Sequence, residues 1–344
     1  MLSWMERGER GGTLKTARLA DGKIDQPRTV VTDSRMFVNW ADLPAVTHVA
    51  DGHFLAHWLR YSADKTYSYD VVVSQTFDDG ESWSTPIVIH DDGTPTEHGF
   101  VSMYRDVSGV GLIWLDGRNT PDGPMTLRSA VIDVNGTVRK EQQLDADVCD
   151  CCQTDVAMTS NGPLAVYRDR TRDEIRDIHV ARHDGRRWLP GRRLYADNWH
   201  IPGCPVNGPS IVAGGDVVAI AWFSAADDRP IVRVVVSTDA GESFDPPVEI
   251  ASGSIAGYVG IDVLDARHVV VSWVAKTGSG ENAVMVRAVE IDGTTGPPVH
   301  VGFTNQLRVF PQVTVSGEQI VVIWTDDTDG QRQLRTAVAP WNSS

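Results

Sequence analysis

The stretch SIVAGGDVVAIAWFSAADDRPIVRVVVSTDAGESFDPPVEI, residues 210–250, contains four short apolar segments separated by turns rich in Gly, Asp and Pro. The segments cover residues 210–213, 217–223, 232–237 and 247–250. Apolar runs of this length, bounded by turn residues, are typical of β-strands and too short for a convincing helical period. The stretch therefore predicts one small antiparallel sheet of four strands.

The same pattern recurs along the whole chain, and an aromatic residue marks each copy. The anchors are Trp4, Trp58, Trp114, Tyr167, Trp222, Trp273 and Trp324, at steps of 54, 56, 53, 55, 51 and 51 residues. A period near 50 residues with four short strands per unit is typical of a propeller blade, which buries its faces only against neighbouring blades. The sequence therefore predicts an all-β fold, a β-propeller.

The number of blades depends on how the two ends of the chain are counted. The first repeat begins at its second strand, and the last repeat ends after its third. Counting the aromatic anchors gives seven blades, which we favour, whereas joining the two ends into one blade gives six. Because the repeats run from end to end, residues 1–344 are predicted to form a single domain.

The charge balance excludes several classes of function. The chain has 31 Lys and Arg against 46 Asp and Glu, a net charge of −15, which repels nucleic acid at long range. No run approaches the roughly 18 to 20 apolar residues that a membrane helix needs. We therefore expect a soluble protein that does not bind nucleic acid. The ligand that we expect is a small molecule or a glycan, bound at the central face of the propeller. The protein is cytoplasmic as the sequence stands, or exported if an N-terminal signal has been removed.

Two turns carry the same signature, TFDDGESW at residues 76–83 and STDAGESF at residues 237–244. Both fit Ser/Thr-x-Asp-x-Gly-x-x-aromatic, in which the Asp and Ser/Thr side chains bond nearby backbone groups and Gly accepts a positive φ. The signature resembles the Asp-box, or BNR repeat, of sialidases and related propellers. Its place between the third and fourth strands indicates a structural turn, with Trp83 and Phe244 buried.

The resemblance implies a reaction only where catalytic residues match as well. Sialidases are expected to bind the substrate carboxylate with three arginines and to use a Tyr/Glu nucleophile pair with an acid/base Asp. The nearest match to their Arg-Ile-Pro segment is RVFP at residues 308–311. The chain is also similar to uncharacterised bacterial sialidase-like proteins that carry a Cys-rich segment and the sequence GCPVNGP, here residues 203–209. That likeness supplies no reaction.

Strand geometry predicts where functional residues meet. In an antiparallel blade the start of the first strand and the end of the second lie at one edge, and the turn between strands three and four lies at the other. Loops at such an edge of a rigid scaffold concentrate function. The segments expected on this central face are 39–42, 96–99, 149–155, 203–208, Tyr258, Asp262 and Arg308, together with Arg60, 116–118, 168–170 and 227–228.

All four cysteines of the chain belong to this predicted face. Cys149, Cys151 and Cys152 lie at the start of the fourth repeat, and Cys204 lies at the start of the fifth. As thiolates they are redox-active or bind a soft metal, copper or zinc, with His98 as a further ligand. As disulfides they cross-link loops of an exported protein, and a third alternative is free packed thiols. We expect Cys204 close to at least one of the others.

Carboxylates and arginines complete the candidate site. Asp42, Glu97 and Asp155 are candidate general acids or bases, because desolvation at strand starts raises a carboxyl pKa. As structural groups they would instead cap turns or accept backbone N–H bonds. Arg118 and Arg168 are candidates for holding an anionic group bidentately, or else they pair with acidic residues at the rim.

Three functions follow from these alternatives. The one we favour is a soft-metal or redox site built from the cysteines and His98, with copper preferred and with or without catalysis. The second is a glycoside hydrolase of sialidase type that works through carboxylates. The third is a non-catalytic module that binds a protein or glycan and uses the cysteines as disulfide staples.

Overall fold

The computed structural model describes residues 1–20, 23–278, 281–306, 308–328 and 330–341. In these ranges the chain is all-β apart from one 3-10 turn at Ala226–Asp228, and no helix in them is long and apolar enough to cross a membrane. The residues group into two compact units, 1–154 with 186–191 and 155–185 with 192–344. The prediction of a single domain stays a prediction. Each unit consists of consecutive antiparallel sheets.

Three sheets and one short hairpin form the first unit. The first sheet has the order β1 (Leu2–Arg7), β2 (Gly12–Ala17), β5 (Arg28–Asp33), and the hairpin pairs β3 (Leu19–Ala20) with β4 (Lys23–Ile24). The second sheet is β6 (Ala45–Ala50), β7 (His53–Tyr61), β8 (Tyr69–Thr76), β9 (Ile87–Val88). The third is β10 (His98–Asp106), β11 (Gly109–Asp116), β12 (Thr126–Asp133), β13 (Val138–Asp145).

Four sheets form the second unit. They are β14 (Asp155–Thr159), β15 (Gly162–Arg168), β16 (Ile178–Arg182), β17 (Arg192–Arg193); β18 (Ser210–Gly214), β19 (Val217–Ser224), β20 (Ile231–Ser237), β21 (Val248–Ser252); β22 (Ile255–Asp265), β23 (His268–Lys276), β24 (Asn282–Glu290), β25 (Val299–Thr304); and β26 (Gln312–Ser316), β27 (Gln319–Thr328), β28 (Gln331–Pro340). Strands pair in chain order in every sheet, as the repeat requires.

The second strand of each complete sheet is apolar on both faces. Along β7, Leu55 and Leu59 pack into the core towards the third sheet, whereas Ala56 and Trp58 pack into the core towards the first. Successive strand residues point to opposite faces, so a strand with no polar alternation needs a neighbour on each side. This burial on both sides is the physical reason that the sheets stack one after another within each unit.

Seven sheets of three or four strands are present in the described ranges, and the fold is a seven-bladed β-propeller, as predicted. Six of the aromatic anchors lie on the second strands of their sheets: Trp58, Trp114, Tyr167, Trp222, Trp273 and Trp324. The six-bladed alternative is wrong. β1 opens one three-stranded sheet and β28 closes another, so the two ends of the chain do not complete a single blade.

The two signature turns are built in the same way. Thr76 Oγ1 accepts from the Gly80 N–H at 2.9 Å, and Asp78 Oδ1 accepts from the Ser82 N–H at 2.9 Å. In the second turn Ser237 Oγ accepts from Gly241 at 2.8 Å and Asp239 Oδ1 accepts from Ser243 at 2.9 Å. The Ser82 hydroxyl and amide, which donate to Asp78, hold its pKa low, at about 2.

The aromatic residues of these turns are less buried than we expected. Trp83 and Phe244 are both half-buried, and each packs at the margin of a core rather than inside it. β9, which follows Trp83, has two residues, whereas β21, which follows Phe244, has five, so the length of the fourth strand does not account for the exposure of both rings.

We predict that replacing the two turn glycines with Ala has unequal effects. Gly80 and Gly241 have φ of +85° and +83°, so Ala is strained at both positions, by about 1–2 kcal/mol. A Cβ at Gly241 would also lie 2.6 Å from Leu164 Cδ2, whereas at Gly80 its nearest neighbour is 3.8 Å away. Denaturant unfolding should therefore show Gly241→Ala to be less stable than Gly80→Ala by about 1–3 kcal/mol. Equal losses would contradict this account of the second turn.

Candidate active site

The first unit places the Asp42 carboxyl against the start of β10. Asp42 Oδ2 accepts the Phe100 N–H at 2.8 Å. Phe100 has φ +53°, and the pairing of β10 with β11 is irregular between Gly99 and Ser102. A Cβ at Gly99 would lie 2.1 Å from Asp42 Oδ2 and 3.2 Å from the Tyr69 ring. Only glycine therefore allows the carboxyl, the bulged strand and the aromatic ring to approach so closely.

Tyr69 is a site residue that the sequence reasoning missed. It begins β8, is fully buried, and its ring stacks on Phe37 with centroids 4.2 Å apart. Its hydroxyl donates to Glu97 Oε1. In an antiparallel sheet the start of the third strand lies at the same edge as the end of the second. Extending the edge argument to the third strands would have included Tyr69 among the candidates.

Burial and charge give the two carboxyl groups different protonation behaviour. Burial raises the pKa of Asp42 to about 8; the Phe100 N–H bond opposes this rise, and the negative charge of Glu97 adds to it. Burial also raises the pKa of Glu97, and the bond from the Tyr69 hydroxyl opposes that rise. Asp42 Oδ1 is buried and has no hydrogen-bond partner among the residues that the structure describes. At neutral pH Asp42 therefore holds a proton that none of the described protein groups accepts.

The second unit repeats the Asp42 arrangement with an amide. Asn207 Oδ1 accepts the Tyr258 N–H at 2.7 Å, and Tyr258 has φ +55°. A Cβ at Gly257, the residue before it, would lie 2.3 Å from Asn207 Oδ1. An amide oxygen therefore supplies the bond that supports this bulge. A buried carboxyl does the same at position 42 at a cost in stability, which indicates that Asp42 has a further role.

Asp155 has the structural role rather than the catalytic one in the described contacts. Its Oδ2 accepts from the Ile211 N–H at 2.9 Å and the Ser210 hydroxyl at 3.0 Å, which ties β14 to β18. Asp262 Oδ2 does the same for the Val315 N–H at 2.8 Å. Burial raises the pKa of Asp155 to about 6, against these bonds. Its acceptor capacity is used in joining neighbouring sheets.

Arg118 and Arg168 are both engaged within the fold. Arg118 binds Asp116 through two bonds of 2.7 and 2.8 Å and lies 2.8 Å from Glu141. It therefore pairs with acidic residues, as the second of the two expectations had it. Arg168 differs from both expectations, because it is 1% exposed and donates to three backbone carbonyls, among them that of Asn207. Burial lowers its pKa to about 10. The structure gives Arg168 a structural role in place of anion binding.

The cysteines are oxidised. Cys149 and Cys152 form a disulfide, and none of the four cysteines is a free thiol. This is the disulfide alternative, so thiolate ligands for copper or zinc exist only after reduction. The expected proximity of Cys204 to the others concerns both units and stays a prediction. His98, the fifth candidate ligand, has its ring nitrogens near carboxylates and a carbonyl instead.

Comparisons with known proteins agree on the fold. No family model and no curated protein matches the sequence. NanB sialidase of Streptococcus pneumoniae, a K499G mutant, is 11% identical with a TM-score of 0.54, over 86% of this chain and 68% of that one. An α-L-arabinanase of Penicillium chrysogenum with bound arabinobiose is 12% identical with a TM-score of 0.56, over 86% and 92%. A Dyadobacter fermentans protein of unknown function is 12% identical with a TM-score of 0.57, over 89% and 97%.

These structures define the fold class of this chain. The chain has the sialidase-like propeller fold, which sialidases and arabinan-degrading enzymes share. At such identities the likeness concerns the fold alone, and the reaction must come from the site.

We predict that Asp42→Asn stabilises the protein at high pH. The folded pKa of about 8 lies above the unfolded value of 3.8, so the stability that Asp42 contributes is present below pH 3.8 and lost as the pH rises to 8. Asn keeps the acceptor for Phe100 and does not titrate. Denaturant unfolding should show a gain in the variant that grows between pH 4 and pH 8, to on the order of 5 kcal/mol at most.

Asp122→Asn, at an exposed position of the same unit, is the control and should show no such trend. A difference between Asp42→Asn and wild type that is constant across the pH range would mean that the Asp42 carboxyl is not held protonated.

Proposed function

We propose that this chain is a glycoside hydrolase that acts through Asp42, Tyr69 and Glu97. The observation that carries the proposal is the hydrogen bond from the Tyr69 hydroxyl to Glu97, next to a buried, protonated Asp42. These are the residue types that the resemblance to sialidases implies, a Tyr/Glu pair with an acid/base Asp. Glu97 is the most exposed of the three, so we place the substrate on its side of the cluster.

The three groups divide the chemistry as their environments suggest. Glu97 accepts the phenol proton as Tyr69 Oη attacks the anomeric carbon, and Asp42 gives its proton to the leaving oxygen. Water then attacks the glycosyl–tyrosine bond with Asp42 as the base, and the proton on Glu97 returns to Tyr69 as that bond breaks. Two displacements at one carbon retain its configuration. A carboxyl with a pKa of about 8 suits the acid step near neutral pH.

The substrate class is a neutral glycoside. A sialoside carries a carboxylate, which needs guanidinium groups with unused donors. Arg118 is instead paired with Asp116 and Glu141, and Arg168 binds backbone carbonyls. The chain's net charge of −15 also opposes an anionic substrate. The two signature turns, which we interpret as Asp-boxes, support the blades and take no part in the reaction.

We predict hydrolysis of neutral 4-methylumbelliferyl glycosides such as the α-L-arabinofuranoside. Tyr69→Phe, Glu97→Gln and Asp42→Asn should each lower kcat by about 10²- to 10⁴-fold, as the loss of a nucleophile or proton-transfer group does. Asp122→Asn is the matched control with wild-type activity. Circular dichroism and unfolding curves establish that each variant is folded.

Turnover that survives all three substitutions would move the site elsewhere. Faster hydrolysis of the N-acetylneuraminide than of neutral glycosides would restore the sialidase alternative. If no glycoside is hydrolysed, the enzyme proposal fails and a binding module held together by disulfides becomes the better account.

A second proposal concerns the reduced protein only. The Cys149, Cys151 and Cys152 sulfurs lie within 4.8 Å of one another, close enough to share one soft ion as thiolates. We predict that reduced protein under argon competes with a chelator for copper(I), whereas oxidised protein does not. A variant with Ser at these three positions is the control. Equal competition by the reduced protein and this variant would exclude the cysteines as a copper site.

A further inference from the structure

A buried network of imidazoles and carboxylates lies beside the proposed active site in the first unit. His98 begins β10, Asp116 ends β11, and Asp92 lies in the segment between β9 and β10. His98 Nε2 is 3.2 Å from Asp92 Oδ2 and 3.8 Å from Asp116 Oδ2. His98 and Asp116 are 0% exposed, and the Asp92 side chain is 7% exposed. The proposed reaction uses none of these three side chains.

The other ring nitrogen of His98 determines what Nε2 offers. Nδ1 is 3.2 Å from the Tyr69 carbonyl oxygen, which can only accept, so Nδ1 carries a proton and donates. In the neutral ring, Nε2 then carries a lone pair. That atom is buried, makes no well-aligned hydrogen bond with the described residues, and faces two carboxylate oxygens, the nearer at 3.2 Å. The Arg118 guanidinium pairs with both carboxylates but not with Nε2, so a proton on Nε2 or a cation bound by all three atoms would complete the arrangement.

The separations suit a small dication. Zinc bonds of about 2.1 Å in a tetrahedral site place neighbouring ligand atoms about 3.4 Å apart. The observed 3.2 and 3.8 Å lie on either side of this value, and the three candidate ligand atoms all lie within 4.8 Å of one another. Imidazole with two carboxylates is a ligand set that zinc accepts.

Surrounding groups orient the two carboxylates. His90 Nδ1 lies 2.8 Å from Asp92 Oδ2, and the His90 ring stacks on His98 with centroids 3.8 Å apart. Trp114 Nε1 and Arg118 donate to Asp116, at 2.8 Å each to Oδ2. Donors of this kind, which fix a ligand without touching the ion, are a regular feature of metal sites.

The net negative charge of the connected network also favours the binding of a dication. Ion pairs join it through Arg118 and Arg128, and its carboxylates are Asp70, Asp92, Asp116 and Glu141. With neutral imidazoles, four negative and two positive charges leave −2. One divalent cation neutralises this charge, whereas a single imidazolium neutralises half of it.

We propose that His98 Nε2, Asp92 and Asp116 bind a divalent cation of the zinc type. The site is distinct from the cysteines and does not depend on the proposed glycosidase activity. Through the bond from His98 Nδ1 to the Tyr69 carbonyl, the ion would fix the starts of β8 and β10, the strands that hold Tyr69 and follow Glu97. Its role is thus to hold the proposed active site in place.

The test uses the oxidised full-length protein dialysed against a chelator and then freed of it. Calorimetry with Zn²⁺ should give one site, and Co²⁺ should give the visible absorption of a tetrahedral ion. His98→Gln and Asp92→Asn should each weaken Zn²⁺ binding at least 100-fold and remove the rise in Tm that Zn²⁺ causes in wild type. His300→Gln, an exposed histidine outside the network, should bind as wild type does.

Three results would overturn the proposal. One is the absence of Zn²⁺ binding by the wild-type protein. Another is binding that both Asp92→Asn and His98→Gln retain, which would place the ion elsewhere. The third is a nitrogen NMR spectrum with both His98 ring nitrogens protonated at pH 7 in excess Zn²⁺, because the positive charge in the network would then be an imidazolium.

Discussion

The structure depends on second strands that are apolar on both faces. β11 is buried at every one of its eight positions, and β19 at seven of eight. A sheet built around such a strand is not stable alone, because two neighbours must cover it. Large aromatic anchors such as Trp114 and Trp222 fill the space between adjacent sheets, and their period in the sequence is the period of the fold.

This constraint explains why the fold could be predicted so fully. Burial on both faces demands uninterrupted apolar strands, and uninterrupted apolar strands are visible in the sequence. The blade count was correct for the same reason, since every anchor marks one sheet. The half-buried Trp83 and Phe244 were not predicted, because the motif gives the positions of the aromatic residues and does not show how much of each ring the neighbouring strands cover.

The site was predicted less well because it depends on which partner each polar group finds. Asp155 begins β14, Arg168 ends β15 and Asp42 precedes β6. Asp42 nevertheless keeps an oxygen with no partner among the described residues, whereas Asp155 and Arg168 bond to backbone groups of neighbouring segments. Periodicity gives the position of a side chain along a strand and says nothing of its hydrogen bonds. Tyr69 was missed for a geometric reason. The starts of the third strands lie at the same sheet edge as the ends of the second strands, and they were left out of the predicted face.

The repeat itself separates what the scaffold needs from what it does not. Asn207 and Asp42 make the same bond to a bulged strand, so the scaffold requires an oxygen acceptor and not a charge. Burial in that place raises the pKa of a carboxyl, so the carboxyl of Asp42 weakens folding near neutral pH. His98 likewise has a group that the scaffold does not need, because one ring nitrogen bonds to the Tyr69 carbonyl while the other faces carboxylates. Both of these groups lie in the first unit, close to Tyr69. The surroundings of Tyr69 are therefore where we expect the functional site of this chain.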